Sequence, residues 1–169
     1  MIMPKEENKS LALITIGGIL MPQQTVEEIL LCNKDTAAYG LALTVQQAIA
    51  LAETRVNSLK KTGRIEFSGT VPQKLIAAFC DSPYISQQNY EETLHELIDL
   101  FYEFKNDTLD VLTDDELIEF MKKAYNGGCH GSLELLAGRE LTQLARHIHE
   151  QHSLESFQLQ KEDGLDGQA

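Results

Sequence analysis

Apolar residues recur at three-to-four spacing along most of the chain, and the recurrence breaks at a few polar or glycine-bearing points. The clearest run follows Thr44, where Val45, Ala48, Ile49, Ala52, Val56 and Leu59 fall on one face of a helix that Gly63 ends. A longer helix is predicted from near Ser86. Its positions Tyr90, Leu94, Leu97, Ile98, Phe101 and Phe104 form a broad buried stripe, with carboxylates on the opposite side. Further helices are expected from Val71 to about Cys80, from 114 to 125 and from 132 to 151. In the last of these Leu133, Leu136, Ala137, Leu141, Leu144, Ala145 and Ile148 share a face, and Gly138 beside it is expected to admit a neighbouring helix closely.

The helix starts carry their own signal. A threonine followed three residues later by Glu or Gln occurs as TVEE at 25, TVQQ at 44, TVPQ at 70 and TDDE at 113. Each can satisfy backbone N-H groups that a first turn leaves without partners, so each is expected to cap a helix. RIEFSG after Gly63 reads as a short extended link, and Pro83 in DSPYIS breaks the chain again. The prediction is an all-α, single-domain bundle of about six helices over residues 11–152, with a short extended segment near SLALITI. Residues 1–10 are expected to be disordered and 153–169 to form a polar, flexible tail.

Composition narrows the setting. The 169 residues are enough for one domain to bury a core without staples. Cys32, Cys80 and Cys129 are odd in number and widely spaced, which argues against a disulfide framework or a thiolate zinc site and for a reducing cytoplasm. The longest apolar stretch, LALITIGGILM at 11–21, is too short to span a bilayer and is not followed by a cleavage site, so no membrane association is expected.

The formal charge of -12 is concentrated: residues 91–120 hold eleven acidic side chains against the single base Lys105. Such a field repels phosphate backbones and anionic lipid, and nucleic-acid binding is not expected. The bases Arg55, Lys60, Lys61, Arg64 and Lys74 are too few to reverse this, and suit pairing with the acidic stretch or a partner better than holding DNA.

Four patterns bear on chemistry. In NGGCHGS, residues 126–132, Gly127 and Gly128 are expected to end one helix in left-handed conformations and Ser132 to cap the next. The same turn can instead be read as a site. Free N-H groups around Gly128, Gly131 and Ser132 would suit an anion, and the helix dipole would favour a Cys129 thiolate beside His130. Second, LTDDELIEFMKKA resembles the end of an EF-hand loop, but Lys105, Leu109 and Asp110 then stand where ligands and the hinge glycine belong, and the capping box explains TDDE without calcium.

Third, Glu92 and His95 have the Glu-x-x-His spacing of carboxylate-bridged iron sites, though no second copy exists in the chain. Fourth, His149 and His152 stand one turn apart with His147 nearby, which fits a metal pair or simply the negative end of a helix dipole. No metal and no cofactor is expected on balance. Walker, dinucleotide, GxSxG and kinase signatures are absent from the sequence.

The blocks GRIEF at 63, FCDSPYI at 79, DDELIEFM at 114 and GSLELLAGREL at 131 resemble a family of short helical proteins from Firmicutes with no assigned function, over about Leu41 to His147. The resemblance implies a bacterial cytosolic protein and carries over no catalytic residue. The leading expectation is a non-enzymatic interaction or regulatory module whose acidic helix surface, with Glu92, Glu96, Asp99 and Glu103, engages a basic partner or another subunit. The alternative is a small-ligand-binding protein or thiol enzyme centred on Cys129 and His130, with Tyr125 or His147 brought close by folding.

Overall fold

The computed structural model describes residues 13–16 and 19–166, so the expected disorder of residues 1–10 lies outside it. An antiparallel strand pair, β1 (Leu13–Ile16) with β2 (Ile19–Pro22), sets Ile16 opposite Ile19 and supplies the short extended segment. The rest is helical: α1 (Gln23–Leu31), α2 (Asn33–Thr36) with a tight 3-10 turn at Ala37–Tyr39, α3 (Val45–Thr62), α4 (Val71–Phe79), α5 (Tyr90–Asp107) and α6 (Asp114–Asn126). The short α7 (Leu133–Leu135) then runs through a π-helical turn, Leu136–Leu141, into α8 (Thr142–Asp166). The architecture is all-α.

The capping boxes at Thr44 and Thr113 both form, each threonine accepting from the N3 backbone while Gln47 or Glu116 reaches back. The other two threonines do not cap. α1 starts at Gln23, which leaves Thr25 inside the helix with its side chain buried. Thr70 has helical backbone angles, and its hydroxyl accepts from Ser68 instead, so Pro72 in the first turn marks that start. α5 starts at Tyr90 and not near Ser86, because Asn89 accepts from the Ser86 N-H and holds the preceding residues in a turn.

One core joins the helices. α3 contributes Ala48, Leu51 and Ala52; α5 contributes Leu94, Leu97, Ile98 and Phe101; α4 and α6 meet through Phe79 and Tyr125, edge-on at 5.4 Å. Each large apolar side chain so buried favours folding by about 1.5–3 kcal/mol. The buried face of α3 is rotated from the expected one: Val45 is exposed, and Arg55 and Ser58 lie buried in line with Ala48 and Leu51.

The π-helical turn accounts for the C-terminal pattern. Leu136 and Leu141 are both fully buried, yet residues five apart in a regular α-helix diverge by about 140°. One wider turn brings them to the same side. The Thr142 hydroxyl donates to the Ala137 carbonyl, five residues back, at 2.7 Å. Gly138 sits in this turn with open space around it, so it does not serve the close helix approach expected of it. α8 then continues to Asp166, which replaces the expected flexible tail with exposed helix over most of its length. Among the described residues no helix is long and apolar enough to cross a membrane.

Candidate functional site

The NGGCHGS turn is closed. The N-H groups of Cys129, His130, Gly131 and Ser132 donate to the carbonyls of Ala124, Gly127, Tyr125 and Cys129, which commits four of the donors an anion would need. Arg139 donates to the Gly128 carbonyl at 3.0 Å and closes the outer side. Ser132 caps α7 as expected, accepting from the Leu135 N-H at 3.2 Å. The left-handed residues are His130 and Gly131, not Gly127 and Gly128.

Cys129 is 1% exposed and packs in the core. Burial pushes its thiol up, the Glu140 charge adds to this, and Arg139 opposes it without reversing the shift. A buried, protonated thiol is a poor nucleophile. His130 faces outward and meets the Tyr84 hydroxyl, Nδ1 to Oη 3.3 Å, so it does not form a working pair with Cys129.

The proposed metal residues separate in the same way. His95 has Nδ1 2.6 Å from Thr54 Oγ1 and Nε2 3.2 Å from Glu91 Oε1, so both ring nitrogens are engaged and Glu92 is not a partner. His149 donates Nε2-H to the Asp107 carbonyl at 2.8 Å, while His147 and His152 stand exposed. Among the described residues no three His, Cys, Asp or Glu side chains are grouped to hold a metal ion.

The acidic residues do assemble. Glu92, Glu96, Asp99 and Glu103 are exposed at the four-three-four spacing of one α5 face, and Asp107 continues the row. Beside them α3 and α5 meet along a polar seam, in which Thr54 reaches His95, the Ser58 hydroxyl donates to Asp99, and Asn106 donates to the Thr62 carbonyl at 2.8 Å. Arg64 closes the end of the seam on Asn106 at 2.7 Å and on Asp110 through two bonds at 2.8 and 3.0 Å. Here lies a cleft of about 310 Å³ lined by Ser58, Lys61, Thr62, Asp99, Glu103, Asn106 and Asp107.

Three carboxylates thus face one ammonium. Both walls come from the C-terminal halves of helices, where backbone N-H groups are committed within the helix, so the cleft offers acceptors and no paired backbone donors for an oxyanion. Its chemistry suits a cation.

The model of a family of unknown function, DUF6323, matches residues 28–154. The chain belongs to this family. No curated protein and no solved structure matches it. In this DUF6323 chain the matched span takes in the whole seam, the acidic row and the closed turn.

One cluster in the DUF6323 span escapes the sequence reading. Arg55, with its side chain 7% exposed, donates to Glu66 Oε1 from Nε and Nη2 at 3.2 and 3.0 Å, and from Nη2 to the carbonyls of Glu66 and Ser68. Tyr102 donates to the same Glu66 oxygen at 2.8 Å, and burial with the adjacent carboxylate pushes its hydroxyl far up. The link after α3 is therefore pinned from inside. Glu66 points in while Ile65 and Phe67 point out, Phe67 entirely. The signal was present: Arg55 and Ser58 extend the period of Ala48, Leu51 and Ala52, which marks them as buried despite their polarity.

Three of the five bases are meanwhile held in pairs. Besides Arg55, Arg64 binds Asp110 and Lys74 binds Asp115 at 3.0 Å, so two of the five reach the acidic stretch of their own chain. Lys105 is held by Asp114 at 2.9 Å and by the Leu112 carbonyl.

Proposed function

We propose that the protein is a non-enzymatic interaction module that binds a basic partner segment along the α3–α5 cleft, with Glu92, Glu96, Asp99 and Glu103 as the contacting row. The observation that supports this reading most directly is the joining of the row to a cleft in which Asp99, Glu103 and Asp107 outnumber Lys61. A lysine or arginine entering there gains charge-assisted hydrogen bonds, while the surrounding field of residues 91–120 steers it in. A regulatory protein that exposes a cationic helix or strand would fit. A bacterial, cytoplasmic setting belongs to the same reading.

The test is a titration of labelled Lys/Arg-rich helical peptides, with neutral and acidic peptides of equal length as controls. Binding is expected for the basic set only, weakening as salt rises. Changing Glu92→Gln, Glu96→Gln, Asp99→Asn and Glu103→Gln together should weaken it about tenfold or more. A charge-matched variant neutralising the exposed Asp35, Glu134, Glu155 and Glu162 should change it little. Equal loss in both variants would reduce the interaction to net charge and sink the reading.

A further inference from the structure

Past His149, whose ring still donates to the Asp107 carbonyl, α8 leaves the body. Residues 150–155 and 157–163 are exposed, including Leu154 at 63% and Phe157 at 65%. Helical segments of this length draw most of their stability from a packed face, and this one has none among the described residues. Leu154 and Phe157 fall three apart, and Glu150 and Lys161 lie four residues outside them. Positions 150, 154, 157 and 161 therefore follow the four-three-four seam of a coiled coil.

That row is complementary to itself when reversed. If a second copy lies antiparallel, Leu154 meets Phe157 of the second copy and Glu150 meets its Lys161, and the two-fold axis repeats both contacts. A parallel arrangement would set Glu150 on Glu150 and Lys161 on Lys161, which is repulsive. Neither Glu150 nor Lys161 is in an ion pair among the described residues. Leu154 and Phe157 stand about 180–240° round the helix from Ile148, so a second copy would run along the outer side of α8, with 150 to 161 paired over about 18 Å.

We propose that the projecting part of α8 is a self-association element, pairing antiparallel with the α8 of a second copy through Leu154 and Phe157, with Glu150–Lys161 pairs fixing direction and register. The contact is smaller than a standard stable interface, so the dimer dissociates on dilution. This is separate from the acidic cleft on α5.

Sedimentation equilibrium of the full chain under reducing conditions, over a wide concentration range, tests it. Average mass is expected to rise toward twice the chain mass with concentration. L154A/F157A should remain monomeric with unchanged thermal unfolding of the body. E150K alone and K161E alone should each raise the dissociation constant about tenfold, because two attractive pairs become repulsive, and E150K/K161E together should restore it. A single monomer mass at every concentration, or a dimer that persists in L154A/F157A, would overturn the proposal. Failure of the double reversal to rescue would overturn the antiparallel register.

Discussion

The ring of Tyr84 fills the space that a side chain at Gly131 would need: a Cβ on Gly131 would stand 2.5 Å from both Cβ and Cγ of Tyr84. Gly131 also has φ of +79°, so the position excludes other residues twice over, by backbone and by contact. The contact joins the DSPYI segment to the turn before α7, and Tyr84 packs in turn on Tyr125. Gly131→Ala is expected to destabilise the fold by about 2–4 kcal/mol, read as a lowered denaturant midpoint with an unchanged slope.

Thiol accessibility should follow burial. Cys129 is expected to resist alkylation in the native protein and to react only as the chain unfolds, while the half-buried Cys32 and Cys80 label earlier. Mass spectrometry of partially labelled protein checks the order. Fast native labelling of Cys129 would contradict the closed turn.

Removing the Glu66 carboxylate leaves Arg55 Nε and the Tyr102 hydroxyl without their partner, while Nη2 keeps the Glu66 and Ser68 carbonyls. Glu66→Ala should cost about 3 kcal/mol, whereas Tyr102→Phe, which leaves the ion pair intact, should cost about 1 kcal/mol. Urea unfolding of both variants distinguishes a buried node from a surface bridge. Limited proteolysis should also open E66A first between Arg64 and Thr70, the segment that Arg55 holds.

Tyr90 carries the opposite imbalance. Its hydroxyl is buried and makes no well-formed hydrogen bond among the described residues, and burial pushes it up to about 12 although the nearby Thr36 hydroxyl, whose own proton goes to the Leu41 carbonyl, offsets part of the rise. Tyr90→Phe removes an uncompensated polar group without opening a cavity, so it should raise stability by up to about 1 kcal/mol. A lowered melting temperature would show that the hydroxyl is bonded in solution.

Acid should loosen the α5–α6 connection first. Hydrogen bonds from Arg64 hold Asp110 below its ordinary range, and those from the Thr113 backbone and side chain do the same for Glu116. A carboxylate lowered in the folded state stabilises it above the unfolded value and loses that effect as pH falls through the folded one. Melting temperature should therefore drop from about pH 4.5 downward, and D110N/E116Q should flatten that slope while lowering stability at neutral pH.

Local chemistry was the legible part of the fold. Thr44 and Thr113 cap because their sequences supply both halves of a short-range box, and the acidic row on α5 follows from spacing alone. Thr25 and Thr70 carry the same letters and fail, because a buried position takes one and a neighbouring serine engages the other. The partnership of Arg55 with Glu66 and Tyr102, and of Tyr84 with Gly131, depends on which segments meet, and no local pattern encodes that. In the candidate site, the acidic side was readable and the Thr54, Ser58 and Lys61 side was not. Cys129 and His130 drew attention through their glycine neighbours, but their roles were decided by where each side chain could be accommodated.

The π-helical turn acts as a phase setting for everything downstream. An α-helix advances about 100° per residue, so regularising Leu136–Leu141 at its present length would turn the extra residue into rotation and swing α8 by about that angle. Ala145 and Ile148 would swing off the body, and Leu154 and Phe157 would face a new quarter of the surroundings. The compass bearing of the projecting helix is set at its root, by one residue more than a regular helix would use.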